Sequence, residues 1–129
     1  MKASQTDEVK VKLSTLWIFV LFNMVFADIV GFINPGALEE MIAMKPSQGM
    51  LLLFSILLEI PIAMIILSRL LKYRANRLAN IVAGSITIFW VIGGGNTSVS
   101  YIFFSALEVL GLLFIIWCAW QWNEKDQNT

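Results

Sequence analysis

The sequence predicts an all-α membrane protein, an up-down-up-down four-helix bundle that crosses the bilayer four times with both termini cytoplasmic. Three observations carry that reading. Of 129 residues, 58% are hydrophobic and only 14% charged, with a mean hydropathy of +0.77; a soluble domain carries about 25% charged residues. The apolar residues are gathered into four blocks, each near the roughly 20 residues a helix needs to cross a ~30 Å hydrocarbon core. Lysine and arginine fall almost entirely on one side of those blocks. At this length the chain reads as one integral membrane domain, 1–129.

The first span is expected at about 13–33. Its apolar stretch exceeds the 7–15 residues of a signal peptide, and no small-x-small cleavage site follows, so it reads as a retained span that also directs insertion. The connection 34–49 contains Asn34-Pro35, which can cap and open a short helix. Leu38, Met41 and Ile42 then fall at helical spacing, and Pro46 with Gly49 ends the run. An outer amphipathic helix follows, either an ordered connection or a lid over an outward-facing pocket. The second span is expected at about 50–68, the third at about 78–94 and the fourth at about 101–120. Gly93-Gly94-Gly95 lets the third fray at its outer end. The two halves do not align, so an inverted-repeat transporter within one chain is not expected.

Orientation follows from charge. Lys2, Lys10, Lys12, Arg69, Lys72, Arg74, Arg77 and Lys125 collect on one side, and only Lys45 on the other, beside Glu39 and Glu40. That bias places the N-terminus, the 69–77 loop and the C-terminus in the cytoplasm. Trp17, Trp117, Trp120 and Trp122 fit an aromatic belt at the same interface.

Composition also excludes. Net charge is zero, so nothing points to nucleic acid as a partner. Histidine is absent, which removes the commonest metal and haem ligand and the usual catalytic base; no cofactor or metal is expected. Cys118 is the only cysteine, so a four-helix thiol oxidoreductase with internal disulfides is ruled out, and Cys118 reads as packing. Asn96-Thr97-Ser98 matches a glycosylation sequon that carries little meaning in a bacterial chain.

The informative residues are Asp28, Glu59 and Glu108, in the first, second and fourth spans. A carboxylate at a helix centre costs about 2.5–3.5 kcal/mol to insert and usually faces the bundle interior. At a rise of about 1.5 Å per residue, Asp28 lies roughly 7 Å from the outer end of its span, Glu108 roughly 10 Å and Glu59 roughly 13 Å. Each shares a helix face with small or polar residues, the kind that permit close helix contact. Asp28 goes with Asn23, Ala27 and Gly31; Glu59 with Ser55 and Ala63; Glu108 with Tyr101, Ser105 and Gly111. The third span has Asn80, Gly84, Thr87 and Gly94 but no acid. Pro61 frees the carbonyl of Leu57 one turn from Glu59 and kinks that helix. No lysine or arginine lies inside the spans as read here, so three adjacent ionised carboxylates would repel, and a proton or a cation is expected among them. Trp90 reads as packing.

The pattern Leu13-Ser14-Thr15-Leu16-Trp17-Ile18, then Ala27-Asp28, then Asn34-Pro35-Gly36 resembles a family of small bacterial four-span proteins with no assigned activity. In layout the chain is distantly similar to the DoxX-like four-span proteins. Small multidrug resistance transporters are similar in length and span number, and bind cationic drugs through a glutamate in the first span. Here that span carries Asp28 near its outer end, and the acids are spread over three helices. Emopamil-binding-like proteins are similar in holding amines or sterols with intramembrane acids. Their enzyme members use a histidine, which this chain lacks, so isomerase chemistry is not carried over.

The leading expectation is a binding or transport protein for a proton, a cation or a small cationic or amphiphilic ligand. Glu59 would be the central ligand, flanked by Asp28 and Glu108, with Asn23, Ser55, Thr87, Tyr101 and Ser105 as neutral hydrogen-bond partners. A homodimer would enlarge the small volume that four spans enclose. An accessory subunit of a membrane complex is the second reading. An acid–base enzyme acting on a lipid or quinone, for which no nucleophile or metal motif is present, ranks last.

Overall fold

The computed structural model describes residues 5–94 and 98–122. Lys2 and Lys125 of the charge count, Gly95, and Asn96 and Thr97 of the sequon lie outside them. The described residues form five helices and no strand: α1 (Gln5–Ile33), α2 (Ala37–Ala43), α3 (Gln48–Leu70), α4 (Tyr73–Gly93) and α5 (Val99–Gln121). The all-α bundle is as expected, and α1, α3, α4 and α5 are each long and apolar enough to cross a membrane.

Local chemistry sets the helix ends. Ser47 and Ser98 are N-caps, their hydroxyls accepting from the backbone N–H of Met50 at 3.1 Å and of Tyr101 at 3.3 Å. Extended backbone at Leu71 and Lys72 separates α3 from α4. The α2 start differs from expectation. Its N-cap is Gly36, at φ 82°, with no side-chain cap, rather than Asn34. A left-handed residue is needed there and glycine adopts it without a Cβ penalty. None of α2 is buried; Leu38, Met41 and Ile42 are exposed, and the helix packs chiefly against α1.

The four long helices form a ring in which α1 packs on α3 and α5, and α4 packs on α3 and α5. Hydrogen bonds pin the ends. The Tyr73 hydroxyl, at the start of α4, donates to the carbonyl of Trp122 at 3.0 Å, while the Tyr101 hydroxyl, early in α5, donates to Val91 at 2.8 Å. Those two helices therefore run antiparallel. Arg77 Nε donates to the carbonyl of Ala119 at 2.9 Å and Nη2 to that of Trp120 at 3.2 Å, satisfying carbonyls that the end of α5 leaves open. Arg77, expected in a loop, thus belongs to α4, whose first turn begins ahead of the apolar block.

The buried side of α1 is Leu13, Trp17, Val20, Met24 and Ala27, a 4-3-4-3 spacing. That is the seam along which helices interdigitate. Two glycines let the backbones approach. A Cβ on Gly111 of α5 would lie 2.9 Å from Val20 Cγ2, and one on Gly84 of α4 would lie 2.9 Å from Ile116 Cγ1. Gly31 meets nothing within 4 Å.

The aromatic belt needs correction. Trp117 and Trp120 are exposed, whereas Trp17 is 0% and Trp122 2% exposed. A buried indole N–H usually finds an acceptor: Trp17 Nε1 donates to Asn80 Oδ1 at 2.8 Å, whereas Trp122 Nε1 has no partner among the described residues. The Asn80 acceptor anchors a polar cluster at the α3–α4 turn end. Ser68 Oγ donates to the same Asn80 oxygen at 3.2 Å, and Asn80 Nδ2 donates to Asn76 Oδ1 at 2.7 Å. Asn76 Nδ2 donates to the carbonyl of Ser68 at 2.7 Å, and Ser14 Oγ to that of Ile65 at 2.9 Å. Helices α1, α3 and α4 are thus joined at one end.

The other end is open. The buried residues nearest the α2 end are Ala27 on α1, Pro61 on α3, Val91 on α4 and Glu108 on α5. Beyond them every described helical residue is half-buried or exposed. Burial is complete at one end of the bundle and only partial at the other, the open end, with Glu108 at the boundary.

Candidate intramembrane carboxylate site

Glu108 occupies the centre of the buried face of α5, one turn from Gly111 and Leu112, because 3.6-residue periodicity carries that seam through position 108. It is 3% exposed, yet among the described residues its carboxyl makes no hydrogen bond. One turn toward the open end, the Ser105 hydroxyl oxygen is buried and also without a partner. That is unusual, because a helical Ser or Thr commonly bonds back to the carbonyl four residues earlier. Ser55, Ser85 and Thr87 do so here, at 2.8, 2.8 and 2.7 Å. Asp28 of α1 is itself exposed, and its charge bears on Glu108 across the α1–α5 packing.

The remaining candidates divide. Thr87 is buried and satisfied on its own helix, and Asn23 donates to the carbonyl of Phe19 at 2.8 Å. Tyr101 is committed to Val91. Ser55 is exposed and bonded to Leu51. Among the expected neutral partners, Ser105 is the one with an unused buried hydroxyl.

Glu59 stands apart. It is exposed, and the buried residues of α3 are Pro61, Met64 and Ser68. At 100° per residue those three fall within an arc of about 60°, and Glu59 points roughly 170° away from its middle. Among the described residues no three Asp, Glu, His or Cys side chains come together. The expected convergence of three acids is not found: Glu108 alone is buried, Asp28 and Glu59 are exposed, and of those two only Asp28 bears electrostatically on Glu108. Sequence periodicity alone could not choose a side for Glu59, because both faces of α3 are apolar.

Pro61 consequently faces the core, away from Glu59. Trp90 packs against Phe54 with ring centroids 5.5 Å apart, linking α3 and α4 near the open end. A groove of about 380 Å³ lined by Tyr73, Arg74, Arg77, Leu78 and Ile81 lies at the opposite end, away from the acids.

The match that places the chain runs over residues 1–129. The chain belongs to the DUF6326 family. That family is described as one of unknown function, in keeping with the resemblance to small four-span proteins without an assigned activity. No curated protein and no solved structure matches the chain. Membership therefore brings no chemistry, and the function is read from the site.

Proposed function

We propose that this protein is a multi-pass protein of the bacterial inner membrane that binds or transports a proton, a cation or a small cationic or amphiphilic ligand at Glu108 and Asp28. Its spans run up-down-up-down, with the packed end and both termini cytoplasmic and the open end outside. The observation that carries the reading is Glu108 itself, a carboxyl 3% exposed with no hydrogen-bond partner, beside a buried and equally unpartnered Ser105 hydroxyl. An isolated carboxylate in a low-dielectric setting is costly. No base acts on it, so a proton or a cation neutralises it. Ser105 has a donor and acceptor to spare for the same guest. Asp28, farther toward the open end, adds a second negative charge on the path in. The open end supplies access, since burial stops at the level of Glu108.

Charge supports the orientation. Lys10, Lys12, Arg69, Lys72, Arg74 and Arg77 lie toward the packed end and Lys45 toward the open one. Glu59 takes no part in this site, because it faces the other way.

The test is native mass spectrometry of protein released gently from its own membrane, wild type beside Glu108→Gln and Asp28→Asn. The expected result is a bound small mass in the wild type that disappears in Glu108→Gln and weakens in Asp28→Asn, with helicity unchanged. Equal bound masses in all three would overturn the assignment for a cation or ligand; for a proton, which adds no distinguishable mass, a carboxyl infrared band unchanged by pH in the wild type, or unchanged by Glu108→Gln, would overturn it.

A further inference from the structure

Glu59 lies near the middle of a membrane-spanning helix on its outward face, where lipid alone would meet it. Among the described residues it makes no hydrogen bond or ion pair. An ionisable side chain so placed costs several kcal/mol unless another protein group covers it. We propose that this face of α3 is a self-association surface, on which two copies of the chain pair through Glu59 across a two-fold axis.

The spacing of the face supports a helix partner. Leu52, Ser55, Glu59, Ile62 and Ile66 follow one another at intervals of 3, 4, 3 and 4 residues, and all five are exposed. This is the repeat that packs two helices at a shallow left-handed crossing, in membranes as in water. Ser55, one turn outward, and Ala63, one turn inward, keep the approach to Glu59 narrow. Of the four long helices, α3 buries the smallest share of itself inside the chain, so it has the most surface to give.

The chemistry of Glu59 favours a second copy as the occupant. In a two-fold contact each residue near the axis meets its own counterpart. A carboxyl is self-complementary in that position, one copy donating O–H and the other accepting, whereas a lone lysine or arginine, which only donates, is not. The same polar group would hold the register, as a single polar residue does in an apolar seam. The spans carry no base at the depth of Glu59, so a homotypic contact has carboxyl pairing as its polar option.

The experiment is site-directed cross-linking in native membranes with Cys118→Ser as background. Ser55→Cys and Ile62→Cys lie on the seam; Leu53→Cys is an exposed control off it. The expected outcome is oxidative cross-linking at 55 and 62 to a species of twice the chain mass, with none at 53. In the Ile62→Cys protein, Glu59→Gln keeps the product, because an amide also pairs with itself. Glu59→Leu lowers dimerisation about threefold, the scale of one average interhelical polar contact. Equal cross-linking at all three positions, or undiminished dimerisation of Glu59→Leu, would overturn the proposal. So would a product of another mass, which would assign the face to a different polypeptide carrying the base. None of these outcomes depends on ligand binding at Glu108.

Discussion

Asn80 is where removing one side chain should tell most about what holds the bundle together. It is 0% exposed. Its Oδ1 accepts from Trp17 of α1 at 2.8 Å and from Ser68 of α3 at 3.2 Å, so one atom joins three helices. Asn80→Leu keeps the branched outline of the side chain and removes both interhelical bonds, along with the two that Nδ2 donates to Asn76 within α4. Interhelical hydrogen bonds in membranes average about 0.6 kcal/mol, giving about 1.2 kcal/mol for the two. The larger effect is the orphaned indole N–H of Trp17, itself 0% exposed; a buried unsatisfied donor costs about 1–3 kcal/mol. The expected destabilisation is therefore about 2–4 kcal/mol. Trp17→Phe removes the donor instead, leaving Asn80 bonded to Ser68, and should cost about 1–2 kcal/mol for one bond and some ring volume. In the double variant the indole donor is gone and only the Ser68 hydroxyl loses its acceptor, so its cost should fall short of the sum by about 1–2 kcal/mol. Reversible unfolding by SDS titration in mixed micelles, followed by far-UV circular dichroism, measures all four corners of the cycle. Costs that add to within about 0.5 kcal/mol would mean that the two residues act independently. The polar cluster would then not be the joint described above.

Two further predictions concern packing and orientation. Gly111→Ala should destabilise by about 1–3 kcal/mol, because its Cβ would press on Val20 at 2.9 Å and Phe19 at 3.2 Å. Gly31→Ala, with nothing within 4 Å, should be neutral or slightly stabilising through helix propensity; equal effects in the same unfolding assay would refute the close α1–α5 approach. In a Cys118→Ser background, a membrane-impermeant maleimide added to intact cells should label Met44→Cys but reach Lys72→Cys only after permeabilisation. The reverse pattern would invert the proposed orientation.

Much of the architecture was legible in the chain. Hydropathy located all four long helices, since a segment of about 20 apolar residues has few alternatives to a helix in a bilayer. Leu38, Met41 and Ile42 disclosed the short helix between the first two. The start of α4 was set too late because Tyr73 to Arg77 is polar, and hydropathy reports the lipid-facing stretch rather than the helix. That hid Asn76, and with it half of the polar cluster, although Asn76, Asn80 and Gly84 recur every fourth residue.

What the sequence by itself determined is the solvent: long apolar blocks with charge gathered at their ends demand helices in lipid, and three carboxyls within them demand compensation. It could not say where each carboxyl points. In a soluble helix the polar face marks the outside, but in a membrane helix both faces are apolar and the alternation that orients it is lost. Only packing decides, through the approach of Gly111 to Val20 and of Gly84 to Ile116, which turns α5 so that Glu108 faces inward. Pro61, Met64 and Ser68 turn α3 into the core in the same way, and so carry Glu59 out of it.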